Sequence, residues 1–170
     1  MTDARCNKPA AVVVGPDEGR SWWQPLPSRG HVIVKLTPEN SPFDDFSAGI
    51  QVLPPGCHVR QHAHQRNHEL VFIYEGTGTV TIDAVTQALA PGSTVLFGRF
   101  AQHRIDNTGS IDMKLFWVFS PPGLEDWFAA IGQLRRPGDT MPAAFNRPAD
   151  VREIQDRMRF VPPPTGSSQT

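Results

Sequence analysis

Three imidazoles, those of His62, His64 and His68, and the carboxylate of Glu69 are crowded between two turn glycines, Gly56 and Gly76. Imidazole nitrogen and carboxylate oxygen both ligate divalent transition metals, so the cluster predicts a metal site. Alternate residues of a strand point the same way, and a strand through His62 and His64 puts both rings on one face. The polar turn Gln65-Arg66-Asn67 then leads to the apolar run Leu70 to Tyr74, which predicts a second strand with Glu69 at its start, able to face back toward the pair. Two imidazoles and a carboxylate are the ligand set of open non-haem metal sites.

A fourth candidate ligand, His103, lies about forty residues further on, in Gly98-Arg-Phe-Ala-Gln-His103-Arg-Ile-Asp-Asn107. Neighbouring strands are only about 5 Å apart, so a barrel can return His103 over the first cluster whatever the distance in sequence. His62, His64, Glu69 and His103 would leave two positions of an octahedral ion open, and open positions separate a catalytic site from a closed structural one.

Strands must position these groups. Seventeen prolines and fourteen glycines are scattered along the chain, separating short apolar or alternating runs, the pattern of many short strands with tight turns. Strands are predicted at His31 to Leu36, Ser47 to Leu53, Ser93 to Phe97 and Met113 to Phe119, with a hairpin of Thr79 to Asp83 and Val85 to Leu89. Ala10 to Val14 could add an edge strand, followed by a long connection, Pro16 to Gly30, holding Trp22 and Trp23. Val71 and Ile73 are expected to line the cavity beside Glu69, with Leu70, Phe72 and Tyr74 turned toward a second sheet or a dimer partner. Leu124, Trp127, Phe128, Ile131 and Leu134 follow helical spacing, with Glu125 and Asp126 in the first turn, where the helix dipole favours acids. A second amphipathic helix is predicted over Asp150 to Phe160, with Val151, Ile154 and Met158 on one stripe. Strands followed by helices, without alternation, favour an antiparallel barrel or sandwich with helical trim. The resulting division is an N-terminal extension or edge strand over 1–30, a barrel over 31–120, helices packing on it over 121–161 and a disordered tail over 162–170.

Sixteen Lys plus Arg against seventeen Asp plus Glu leave a net charge of -1, so neither nucleic acid nor a membrane is an expected partner, and a small molecule is. Two cysteines, Cys6 and Cys57, make no disulfide framework, and the first residues carry no basic-then-apolar leader. No apolar run approaches the roughly 18 residues of a membrane span. The expectation is a reduced, soluble, cytoplasmic protein.

The same residues carry a resemblance. Gly56, His62, His64, Glu69 and Gly76 match the first motif of the cupin superfamily: Gly, five residues, His-x-His, three or four residues, Glu, six residues, Gly. Gly92, His103 and Asn107 match its second motif, which departs at Gly98, where the family usually has Pro, and at Phe100, where it usually has Gly. Phe100 is therefore expected to narrow the cavity mouth. The motif selects Glu69 over His68, because only from Glu69 do six residues lead to Gly76; on an alternating strand His68 then faces away. The short interval from Gly76 to Gly92 is similar to that of bacterial single-domain cupins, and Pro122-Gly123-Leu124-Glu125-Asp126-Trp127-Phe128 resembles a flank of quercetinase-like members.

The resemblance implies an all-β fold, a small antiparallel jelly-roll β-barrel with one or two C-terminal helices. It implies a divalent transition metal on His62, His64, Glu69 and His103, with Fe the first choice and Mn, Ni, Co, Cu or Zn open. It further implies a catalytic role for Glu69 as general base, an Fe(II)-type dioxygenase acting on a small chelating phenol, enol or diketone with O2, and a homodimer. The alternatives are an isomerase, lyase or hydrolase using the ion as Lewis acid, and a non-catalytic small-ligand binder. His31 and His58 are expected to be surface or strand residues and Cys57 a small turn residue. Trp127, Phe128 and Ile131 are expected to be a helix packing face, with a lid over the barrel mouth as the alternative.

Overall fold

Runs rich in β-branched and aromatic residues, broken by the turn residues noted above, pair into strands throughout the computed structural model, which describes residues 10–162. These are β1 (Arg20–Trp23), β2 (His31–Leu36), β3 (Ser47–Leu53), β4 (His58–His64), β5 (His68–Glu75), β6 (Gly78–Ile82), β7 (Val85–Leu89), β8 (Thr94–Phe97), β9 (His103–Asp106) and β10 (Met113–Ser120). Then follow α1 (Asp126–Ile131), β11 (Gln133–Arg135), α2 (Val151–Arg157) and β12 (Phe160–Val161). One sheet has the order β11-β1-β2-β3-β10-β5-β8 and the other β12-β4-β9-β6-β7. Their pairings are antiparallel, and the two sheets make a jelly roll. No helix among the described residues is long and apolar enough to cross a membrane.

Strand alternation sorts the core. Met113, Leu115, Trp117 and Phe119 of β10 turn inward and are buried, while Lys114, Phe116 and Val118 face outward. On β5, Glu69, Val71 and Ile73 are buried, and His68, Phe72 and Tyr74 are exposed. Trp117 lies opposite Gly49 in the β10–β3 register, and a Cβ at position 49 would run into its ring and into the Ile33 carbonyl. Gly76 makes the turn from β5 to β6 at φ 78°, a conformation open to glycine at little cost.

The structure departs from expectation at several elements. Ala10 to Val14 form no strand; instead Trp22 and Trp23, expected in a connection, belong to β1, which pairs with β2 and β11. Lys35 sets this entry, since its buried ammonium donates to the carbonyls of Gly15, Pro16 and Glu18 at 2.7, 2.6 and 2.6 Å and gathers the chain into a loop before β1. Val71 and Ile73 pack in the core and do not line the cavity. Helix α1 stops at Ile131, because Gly132 turns extended and the chain pairs with the open edge of β1; Leu134 is consequently an exposed strand residue. Helix α2 ends before Phe160, which joins β12 opposite His64. Phe100 does not narrow the cavity. Its N–H donates to the His64 carbonyl at 2.9 Å, its φ is 64°, and its ring points to solvent with 62% exposed. The tail expected to be disordered lies, after Pro162, outside the described residues, as do residues 1–9 of the N-terminal extension.

His31 packs edge-on against Trp23 at 5.4 Å between ring centroids. Burial, then the charges of Arg135 and Lys114, push its imidazole down from 6.5 to about 4. Between those two pH values the unfolded chain holds a proton that the folded chain lacks, so stability falls as pH drops through the window. Urea midpoints measured from pH 7 to pH 4 should decline less steeply for His31→Gln than for the wild type. Equal slopes would remove His31 from the acid sensitivity.

Candidate metal centre

The β4–β9 register sets His62 directly opposite His103, after an irregularity between Val59 and His62. Directly opposed side chains of an antiparallel pair are neighbours, and these two ring centroids stand 4.3 Å apart. His64, two residues along β4, shares the face of His62, with 4.7 Å between their rings. Glu69 approaches from the other sheet, where β5 starts. Its Oε2 lies 3.1 Å from His64 Nε2 and 3.2 Å from His103 Nε2. One ligand atom from each of the four residues lies within 4.8 Å of the others. All four residues expected as ligands are thus brought together.

The ring nitrogens are oriented for coordination. His62 Nδ1 donates to the Arg60 carbonyl at 2.7 Å, and His103 Nδ1 donates to the Ala101 carbonyl at 2.8 Å. A carbonyl only accepts, so in each neutral ring the proton is on Nδ1 and the Nε2 lone pair faces the cluster. For His103 that lone pair meets a carboxylate oxygen, a contact that is attractive only with a proton or a metal cation between them. His62 is a poor proton carrier here: burial, then its neighbours His103 and His64, push it well below its ordinary value. Burial pushes Glu69 up, but the adjoining imidazoles of His103 and His64, when they carry a proton, outweigh it and hold the carboxyl below the usual carboxylate range, and a metal cation in the proton's place acts in the same direction. Three imidazoles and an ionised carboxylate with converging lone pairs fit a divalent transition metal.

Aromatic residues enclose the cluster through the strand registers. Phe97, paired with Glu69 across β8–β5, stacks on His103 at 3.9 Å and 13°. Phe119 pairs with Glu69 from β10, and Phe160 pairs with His64 from β12, its ring 5.2 Å from that imidazole. Such walls keep water out and strengthen each electrostatic contact inside.

Beside the cluster opens a cavity of about 470 Å³, within the range of small-molecule sites. Trp127, Phe128 and Ile131 of α1 line it and are also buried in the core, so the helix is both packing face and cover. Glu125 anchors this helix: its Oε2 accepts from Ser47 Oγ and from the Gly123 N–H, each at 2.6 Å. His68 points to solvent, away from Glu69, and His58 is a strand residue of β4. Cys57 sits at the turn before β4, where burial pushes its thiol up and away from reactivity. Missed in the sequence were Arg60, Arg147, Gln24 and Gln51, which also line the cavity. None of them carried a clear signal: Arg60 sits two before His62, but the strand irregularity between Val59 and His62 breaks the alternation that would assign its face.

Purified without chelator, the protein should carry about one metal per chain by elemental analysis. His62→Ala and His103→Ala should each lower this at least tenfold, and His68→Ala should not. Normal loading in the first two variants would refute the ligand set. Glu125→Ala should cost about 2 kcal/mol of stability in urea unfolding, the worth of buried hydrogen bonds to a charged group, with metal content unchanged. A variant as stable as the wild type would show that the anchor contributes little.

Residues 49–119 match the family model described as Cupin domain. The chain is 29% identical to Protein SchB of Streptomyces halstedii over 92 residues, which is 54% of this chain and 67% of that protein. It is 25% identical to Polyketide synthase CurC of Streptomyces cyaneus over 92 residues, again 54% of this chain, and 60% of that protein. The matched span is therefore roughly two thirds or less of these relatives. Among solved structures, a predicted oxalate decarboxylase from Thermotoga maritima aligns with a TM-score of 0.55 at 23% identity, covering 64% of this chain and 98% of that one.

Proposed function

We propose that the chain, whose residues 49–119 match the cupin-domain model, is a metal-dependent dioxygenase acting on a small chelating phenol, enol or 1,3-diketone. The observation that carries this reading is the juxtaposition of the His62, His64, Glu69 and His103 cluster with an aromatic-walled cavity large enough for such a molecule. Similarity to a protein named as a polyketide synthase supports the substrate class, since polyketides are chains of alternating ketones that enolise and cyclise to phenols.

His62, His64 and His103 would hold the ion through Nε2 or the remaining ring nitrogen, and Glu69 through its carboxylate. A bound Fe(II) supplies Lewis acidity toward the substrate's enolate or phenolate and electrons for dioxygen. The protein's own groups do the rest. Glu69, ionised at neutral pH and on the cavity wall, would accept the enol or phenol proton at a carboxylate oxygen. Phe97, Phe119, Phe160 and Trp127 exclude water from the cluster, and the Gln51 side chain on the cavity wall offers a polar contact to orient a substrate oxygen. A homodimer is part of the same proposal, with Phe72, Tyr74 and Leu96 on the outer face of β5 and β8 as its apolar surface.

Oxygen-electrode assays with catechol and acetylacetone test the reading. The Fe(II)-loaded protein should consume O2 with substrate, and Glu69→Ala and His62→Ala should lose at least a hundredfold of the rate, a loss in the range set by a general base or a missing ligand. Equal turnover under argon with Zn or Mn would overturn the dioxygenase and favour Lewis-acid chemistry. Sedimentation showing only an 18.8 kDa species would remove the dimer.

A further inference from the structure

We propose that the cavity selects a molecule bearing an oxyanion, and that Arg147, with Arg60 beside it, binds that anion while the remainder extends over the aromatic wall toward the metal ligands. The inference rests on the cavity being the substrate site and adds the charge of what enters it.

Arg147 lies in the segment between β11 and α2, and its guanidinium stands 5.4 Å over the ring of Trp127. Stacking on an indole fixes the plane of the guanidinium but satisfies none of its five donors. Its Nε is buried and has no hydrogen-bond partner, and no ion pair of Arg147 occurs among the described residues. A partly buried cation with unspent donors on a cavity wall is costly unless a ligand supplies the acceptors.

The second cation makes the case stronger. Arg60 precedes His62 by two on β4, within the irregularity that ends at His62, and lines the same cavity. Burial, then the charge of Arg60, push Arg147 down to about 10, which still leaves it charged at neutral pH. Positive charge on the wall favours an anionic over a neutral ligand in the cavity. Arg152 lines the cavity from α2 as well. The acids on the cavity wall are Glu69, engaged with the imidazoles, and Asp156, which is exposed on α2. A guanidinium fork matches the paired oxygens of a carboxylate or a phosphate, and Trp127, Phe128 and Ile131 provide the apolar contact for a ring or chain attached to it.

Calorimetric titration of the full chain, stripped of metal with chelator, tests this with benzoate, benzyl alcohol and inorganic phosphate. Benzoate should bind at least tenfold more tightly than its neutral isostere benzyl alcohol. Arg147→Gln should abolish that preference while taking up metal to the wild-type level, and Arg147→Lys should keep part of it. Phosphate that displaces benzoate and binds more tightly would support the anion site and make the natural group a phosphate; weaker phosphate binding supports a carboxylate. Benzoate and benzyl alcohol binding alike to the wild type, or a preference that survives in Arg147→Gln, would overturn the proposal. Because the titration needs neither metal nor oxygen, a protein that binds benzoate through Arg147 yet consumes no O2 fails as a dioxygenase and leaves this inference standing.

Discussion

Taking the Glu69 carboxylate out of water to 9% exposure would cost several kcal/mol if the group stood alone, and no salt-bridging Lys or Arg neutralises it among the described residues. It faces two imidazoles from the opposite sheet, His64 and His103, at 3.1 and 3.2 Å, a contact that becomes attractive with a proton or a metal cation between the groups. Everything else about the barrel serves that contact. It requires two sheets at the right separation, registers that deliver three rings to one point, and walls dry enough to make the contact strong.

The registers meet this requirement with little freedom. Slipping a strand by one residue turns its whole set of side chains to the other face. A slip of β4 would send His62 and His64 outward together, and a slip of β5 would exchange Glu69 for His68. Burial of Val71 and Ile73 behind Glu69, and of Ile105 behind His103, ties the ligand positions to the hydrophobic core. The same alternation that fills the core therefore aims the site. Gly49 extends the argument to the sheet itself, since only a residue without a side chain lets Trp117 lie flat against β3 beside the ligand-bearing face.

The cavity wall is chemically mixed: it carries converging nitrogen and oxygen lone pairs, the guanidiniums of Arg60 and Arg147, and the aromatic residues of α1 and the strands. A ligand with an anionic group, an apolar body and a chelating oxygen satisfies each surface in turn. Helix α1 joins these functions, because Glu125 anchors it to β3 through Ser47 while Trp127 supports the Arg147 guanidinium and packs on Phe160.

The ligand set was legible in the amino-acid order because its chemistry is local. His62 and His64 sit on one strand, where a period of two decides direction, Glu69 follows one turn later at the start of the next strand, and His103 was recognised by residue type and motif spacing. Most strands were legible for the same reason, as apolar alternation between glycines and prolines. What the order could not show depends on competition between distant partners. Helix α1 ends early because the exposed edge of β1 offers hydrogen bonds to β11, and Phe160 leaves its helix to pair with His64. Phe100 turns outward because its own N–H is claimed by the His64 carbonyl. Arg147 enters the cavity only because the segment before α2 folds back over Trp127. Sequence spacing determines which side chains share a face of one element; which elements meet, and what charge they place around a ligand, is decided by long-range pairing that no local pattern encodes.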